Sequence, residues 1–160
     1  MDALTLASLL TACAPLVHSG SAHALISVES GFNPHAIGVV GGALERQPRT
    51  AMEAIATATT LQREGRIFSV GLAQINVGNL RRLGLTIPEA FDACRNLGAM
   101  QAVLGECFDR AGIGEFSQRD LRRALSCYYS GNFTTGFRHG YVGRIVMAAR
   151  PVSAGVRGPP

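Results

Sequence analysis

The sequence predicts a mainly α fold of the α+β kind, one compact helical domain with a two- or three-stranded β patch near its middle. Apolar residues recur at helical spacing through most of the chain. Strands and helices do not alternate, which argues against a doubly wound parallel sheet. The 160 residues are 47% hydrophobic and only 16% charged, enough to bury one core and unlike a disordered composition. We assign residues 1–150 to the domain. Residues 151–160 hold Gly, Pro and Ser without periodicity and read as a disordered tail.

In chain order, Leu6, Leu9, Leu10, Cys13 and Val17 follow helical spacing, so residues 2–13 read as a first helix that Pro15 ends. Leu10-Thr-Ala-Cys13 also has the form of a lipoprotein cleavage box, but the periodicity favours a core helix. Met1 to Leu10 is apolar, lacks a basic leader and is too short to cross a bilayer. No membrane span is therefore expected, and no clear signal peptide is seen.

Ser19 or Ser21 can cap a second helix, in which Ala22, Leu25, Ile26 and Glu29 form one stripe at i, i+3, i+4 and i+7. Gly31 and Pro34 stop it. Glu29 thus places a carboxyl in the last turn, on the face expected to be buried. Burial and the negative end of the helix dipole both disfavour its charged form. A carboxyl that keeps its proton near neutral pH suits a general acid. The alternative is a glutamate paired with an arginine or turned out to water.

Residues 35–49 are irregular and Gly-rich, with a short strand at Ile37 to Val40. A helix from Ala51 to Glu64 follows, with Met52, Ile55, Ala56 and Thr59 on one face and Gly65 closing it. The segment from Arg66 can begin as a strand paired with residues 37–40, and the part after Gly71 can open a short helix to Arg82. Pro88 to Phe91 makes a helical turn. Leu97, Met100, Leu104, Cys107, Phe108 and Ala111 mark the clearest helix. Ser117 caps another, with Leu121, Ala124, Leu125 and Tyr128 as its buried stripe. After a Gly-rich loop, Val142, Ile145, Val146 and Ala149 mark the last helix.

Composition excludes several functions. The net charge of +4 is carried by Arg, without runs of basic residues and interleaved aromatics, so nucleic acid is not an expected partner. There is no phosphate-binding loop and no G-x-S-x-G elbow. His18, His23, His35 and His139 make no metal pair, and the spacings of Cys13, Cys94, Cys107 and Cys127 fit no zinc pattern. No metal or cofactor is expected. Outside the cytoplasm one or two disulfides can form, with three full pairings open; a reduced Cys107 would be an ordinary small hydrophobe on its helix.

Among the carboxylates, Glu53, Glu64, Glu106, Asp109 and Asp120 lie off the apolar stripes of their helices. Glu45, Glu89, Asp92 and Glu115 sit in turn-like segments, and Asp2 lies at the start of the chain. Glu29 alone shares a core stripe. Most glycosidases need two carboxylates, so a sugar-cleaving reading requires the substrate to take the second role.

Four motifs stand in one order: Glu29-Ser-Gly-Phe-Asn-Pro34, Gly71-Leu-Ala-Gln-Ile-Asn76, Cys127-Tyr-Tyr-Ser-Gly-Asn132 and Tyr141-Val142. Over roughly residues 13–149 the chain resembles the soluble lytic transglycosylase domain, which has a goose-type lysozyme-like fold. Ala36-Ile-Gly-Val-Val-Gly-Gly42 and Ser126 to Phe133 look most like the specialised enzymes of type IV secretion systems.

The resemblance implies cleavage of the β-1,4 link between N-acetylmuramic acid (MurNAc) and N-acetylglucosamine (GlcNAc) in peptidoglycan, leaving a 1,6-anhydro end. It also implies export to the periplasm, with glycan strands and secretion components as partners. Glu29 matches the family's acid/base. Gly71, Gln74, Asn76, Tyr128, Asn132 and Tyr141 match or adjoin its substrate-binding positions. Gly71 would let the backbone approach the sugar, Asn76 can instead cap a helix, and Tyr128 can serve the core. Tyr129 departs from the pattern by standing where many relatives have an asparagine, whose amide Asn132 could supply. A hydrolytic muramidase, and a wall-binding docking module in which cleavage is secondary, are the competing readings.

Overall fold

The structure is a computed structural model that describes residues 3–112 and 117–149. Asp2, Glu115 and the tail assigned to 151–160 lie outside the described residues. The described chain is mainly helical with one three-stranded antiparallel sheet, as its periodicity predicts.

Helix α1 spans Ala3–Cys13 and buries Leu6 and Leu10. Helix α2 spans Ser19–Ser30 and buries Ala22, Leu25 and Ile26 of the predicted stripe. Neither serine caps it: His18 is the N-cap and contributes no side-chain bond. At its other end Gly31 turns left-handed (φ 57°) and donates its N–H to the Ser27 carbonyl, which stops the helix one residue beyond Glu29.

Strand β1, Ile37–Val39, pairs with β2, Phe68–Val70, with Ile37 opposite Val70. The other edge of Ile37 is held by Gln47, whose amide accepts from its N–H and donates to its carbonyl. Strand β3, Ile75–Asn76, extends the sheet beside β2. The sequence gives a helix opening after Gly71; the chain instead turns through residues 71–74 and adds this short strand first.

Between β1 and β2, helix α3 (Ala51–Arg63) is capped by the Thr50 side chain, which accepts from the Glu53 N–H. Its buried face is Ala54 and Ala58, with Ile55 and Leu61 partly buried. The face expected from Met52, Ile55, Ala56 and Thr59 is thereby corrected: Met52 is 82% exposed, and Ala56 and Thr59 are exposed. Small residues let α3 lie close to β2 and α5, and the larger side chains are left outside.

Short helices α4 (Val77–Arg82) and α5 (Ile87–Ala90) follow, the latter with a Thr86–Glu89 capping box. Helix α6 (Ala93–Ala111) is the longest, and Leu97, Met100, Leu104, Cys107 and Ala111 lie buried along it. Helix α7 (Gln118–Ser130), capped by Ser117, packs against α6 more extensively than any other pair of elements do. A helical turn, α8 (Thr135–Arg138), interrupts the predicted Gly-rich loop. Helix α9 (Tyr141–Ala148) buries Tyr141, Val142 and Ile145 against α2.

All four cysteines are oxidised. Cys13 bonds to Cys94, tying the end of α1 to the start of α6, and Cys107 bonds to Cys127, tying α6 to α7. The Cys13 sulfur is thus committed to a disulfide, which leaves the lipoprotein-box reading without its nucleophile. Cys107 is buried as predicted, but as half of a crosslink. No helix of the described residues is long and apolar enough to cross a membrane.

Candidate active site

The end of α2 delivers Glu29 to a cleft of about 470 Å³, lined also by Gly38, Val39 and Val40 of the β1 edge, Gln74 and Asn76 of the 71–76 turn, and Tyr128 and Tyr129 of α7. A second hollow of about 560 Å³ shares Asn76, Asn79, Val103 and Tyr128 to Ser130 with the first and runs on past Arg82, Glu106 and Arg110. Together they make one groove longer than a single small ligand needs, open along its side.

Glu29 is partly buried, and Tyr141 donates its hydroxyl hydrogen to Glu29 Oε1. Removal from water pushes the Glu29 carboxyl up from 4.5 to about 7, against the Tyr141 hydrogen bond and the positive charge of Arg144, which both favour the ionised form. Tyr141 is itself buried, and burial beside Glu29 raises its hydroxyl far above the usual range, so it stays a donor. With Oε1 accepting that bond, Oε2 is left free to carry a proton. Among the described residues no other carboxylate lines the first hollow. Glu106, farther along the groove, is neutralised by Arg82 at 2.8 Å.

The remaining predicted residues divide into cleft and scaffold. Tyr128 lines the cleft while its hydroxyl donates to the Ala73 carbonyl at 2.6 Å, locking α7 to the 71–76 turn. Gln74 also does both. Its Nε2 donates to the carbonyls of Ala36 and Gly71, each at 3.0 Å, and its backbone is left-handed (φ 49°). Its Oε1 lies 2.8 Å from where a Cβ on Gly38 would stand, which explains the glycine in that strand. Asn76 caps α4 through the Gly78 N–H and faces the cleft.

Gly71 and Asn132 have different surroundings from those expected. Gly71 is buried with φ 80°, and a Cβ there would come within 2.2 Å of Asn96 Nδ2. Its steric requirement comes from the protein interior, and no approach of a sugar chain is needed to account for it. Asn132 is exposed, and its Oδ1 accepts from the Thr134 N–H, the Thr134 hydroxyl and the Thr135 N–H. Its Oδ1 builds the turn into α8, and it is not among the residues that line the cleft.

Two residues with structural consequences for the cleft carry no signal in the hydrophobic pattern. Asn96 is 1% exposed. Its Oδ1 accepts from the Ala73 N–H, and its Nδ2 donates to the carbonyls of Val70 and Ala90. Every polar atom of this buried amide is used, and the turn bearing Gln74 is pinned by it. Tyr129 stacks on Tyr141, ring centroids 4.5 Å apart and planes 22° apart, and its hydroxyl meets His139 Nδ1 at 3.2 Å. His139, read from sequence as a loop residue, is exposed as expected but also lines the cleft. The signal for Tyr129 was its departure from the family motif.

Residues 11–144 match the family model described as "Transglycosylase SLT domain". The chain is 47% identical over 144 residues to "Type IV secretion system protein virB1" of Brucella abortus biovar 1 (strain 9-941), covering 86% of this chain and 60% of that protein. It is 37% identical over 142 residues to "Protein virB1" of Agrobacterium fabrum, covering 86% of this chain and 56% of that one. A third relative, "Protein virB1" of Rhizobium radiobacter, is 35% identical over 150 residues, covering 92% and 62%. The chain therefore spans less than two thirds of the length of these relatives. No solved structure matches it at a significant level.

Proposed function

The chain belongs to the transglycosylase SLT domain family, and from that membership we propose that it is a peptidoglycan lytic transglycosylase. The proposed reaction cleaves the MurNAc-β-1,4-GlcNAc bond and closes a 1,6-anhydro ring on the muramyl product. The observation that carries this reading is a carboxyl raised to about 7, Glu29, held by Tyr141 in a long open groove.

One carboxyl suffices if it acts twice. Glu29 Oε2 first gives its proton to the glycosidic oxygen as the C1–O bond breaks, and the GlcNAc alcohol leaves. The muramyl acetamide stabilises the cationic C1. The resulting carboxylate then takes the proton of the same sugar's C6 hydroxyl while O6 bonds to C1. The proton count closes on Glu29, and water is not consumed. Tyr141 supports both steps by holding Oε1, and its hydrogen bond strengthens when Glu29 is charged. Gln74, Asn76 and Tyr128 are proposed to contact the glycan.

A hydrolytic muramidase of the ordinary kind would need a second carboxylate placed for water or for C1, and the first hollow offers none among the described residues. The Brucella relative is named a type IV secretion system protein, which supports a place beside such an apparatus; opening the wall for it is the task we propose. The two disulfides fit the oxidising periplasm. Digestion of purified peptidoglycan, followed by mass spectrometry of the products, tests the reaction. Anhydro-muropeptides, each lighter by one water than the reducing-end product, are expected, and Glu29→Gln should yield none. Reducing ends, or turnover by Glu29→Gln, would overturn it.

A further inference from the structure

Tyr129 stands where the two hollows of the groove join, and it lines both. It is 42% exposed, unusual for an aromatic ring with so many fixed contacts. Tyr141 covers one face of its ring. The His139 ring stands edge-on to it, centroids 5.8 Å apart and planes 81° apart, and the hydroxyl is engaged by His139 Nδ1. His139 is held in turn through its carbonyl, which accepts from Arg144 Nη1 at 3.2 Å. The ring is therefore fixed by its inner face, its edge and its tip, and left open toward the groove.

A fixed, half-exposed tyrosine offers a flat apolar surface with a negative π face. The C–H-rich face of a pyranose is its chemical complement. Among the described residues Tyr129 is the exposed phenol ring of the two hollows: the Tyr128 ring is less exposed and its hydroxyl is committed to Ala73, and the exposed His139 ring is engaged with Tyr129 itself. The asparagine that many relatives carry at position 129 is absent, and Asn132 commits its Oδ1 to its own loop; the amides beside Tyr129 in both hollows are those of Asn76 and Asn79.

We propose that Tyr129 is a stacking platform for one pyranose ring of the glycan strand, at the junction of the two hollows, and that it sets the register of the strand against Glu29. This rests on the transglycosylase reading. Apolar stacking here takes the place of a hydrogen-bonding amide, so selection at this subsite is for a ring face and is tolerant of the substituents on the sugar.

The test is binding of peptide-free peptidoglycan glycan strands to Glu29→Gln, with Tyr129→Phe or Tyr129→Leu added. Isothermal titration calorimetry reads the affinity in the parent and in both variants alike, without relying on the tyrosine that is replaced. Leu keeps an apolar side chain and removes the π face; affinity should fall about two- to twelvefold, as loss of one aromatic contact implies. Phe keeps the face and should bind within about twofold of the parent. In the Glu29-intact protein, Tyr129→Leu should raise KM more than it lowers kcat and leave the pH limb of Glu29 in place. Parent-like binding by Tyr129→Leu, or equal loss in Tyr129→Phe, would overturn the platform. So would a displaced pH limb, which would mean that Tyr129 works only by bracing Tyr141. Should the wild type leave glycan strands uncut, the transglycosylase reading fails instead, and the two failures are thereby distinguished.

Discussion

Replacing Glu29 with Gln should change the pH dependence of stability as well as activity. The folded carboxyl titrates at about 7 and the unfolded one at 4.5. Between those values the folded state keeps a proton that the unfolded state has released, so stability falls as pH rises. The contribution is fully present below about pH 4.5 and gone above about pH 7. At about 1.4 kcal/mol per pH unit the span amounts to roughly 3 kcal/mol. Gln preserves the size and an oxygen for the Tyr141 hydroxyl but cannot ionise. The stability of the variant relative to wild type should therefore rise by about 3 kcal/mol across the window, which for a domain of this size is about 6–12 °C in Tm. Urea unfolding of both proteins with disulfides intact, at about pH 4 and about pH 8, measures it. Taking the difference between variant and wild type cancels every other titrating group. A difference that stays constant, or that is larger in acid, would refute the burial of the acid as the source of its proton affinity.

Tyr141→Phe removes a hydrogen bond that favours the ionised carboxylate, so Glu29 should titrate higher still; the alkaline limb of the pH–rate profile should move up, although the rate falls. Gly71→Ala forces a Cβ into Asn96 at positive φ and should cost about 2 kcal/mol or more, while Asn96→Ala strands three backbone groups at a cost of about 2–4 kcal/mol, both read by chemical denaturation. Cys13 and Cys94 are 81 residues apart in sequence, and Cys107 and Cys127 are 20 apart. Loop entropy then predicts a loss of about 4.5 kcal/mol for serine replacement of the first pair and about 3 kcal/mol for the second, measurable by thermal unfolding.

The helices were legible because burying one face imposes a period, and α6 and α7 show it over several turns. The same pattern misplaced the face of α3, where Met52 and Ile55 advertise apolarity but Ala54 and Ala58 fit the close approach. Periodicity counts apolar residues and cannot weigh the space left between elements. Glu29 was legible for the related reason that an acid on an apolar stripe is conspicuous. The Asn96 hub was not, because a buried amide satisfied by three distant backbone groups leaves no local pattern. The Tyr129–Tyr141 stack joins two helices through a loop, and only tertiary structure brings the rings together. The disulfide pairing was open for the same reason: all three arrangements satisfy the sequence equally.

Both disulfides end on α6. One holds its first turn to α1 and the other holds its fourth turn to α7, so three helices form a covalently joined frame. Helices α2 and α9, which carry Glu29 and Tyr141, lie outside that frame and meet through side-chain packing and one long-range hydrogen bond. The groove thus has a stapled wall and an unstapled jaw. On the proposed function, a glycan strand would lie against residues of α6 and α7 that the staples fix, while the acid and its partner are held by packing and a hydrogen bond. Reduction would loosen the frame before it touched the jaw, so loss of the staples should be felt first in how the strand is held and only later in how it is cut.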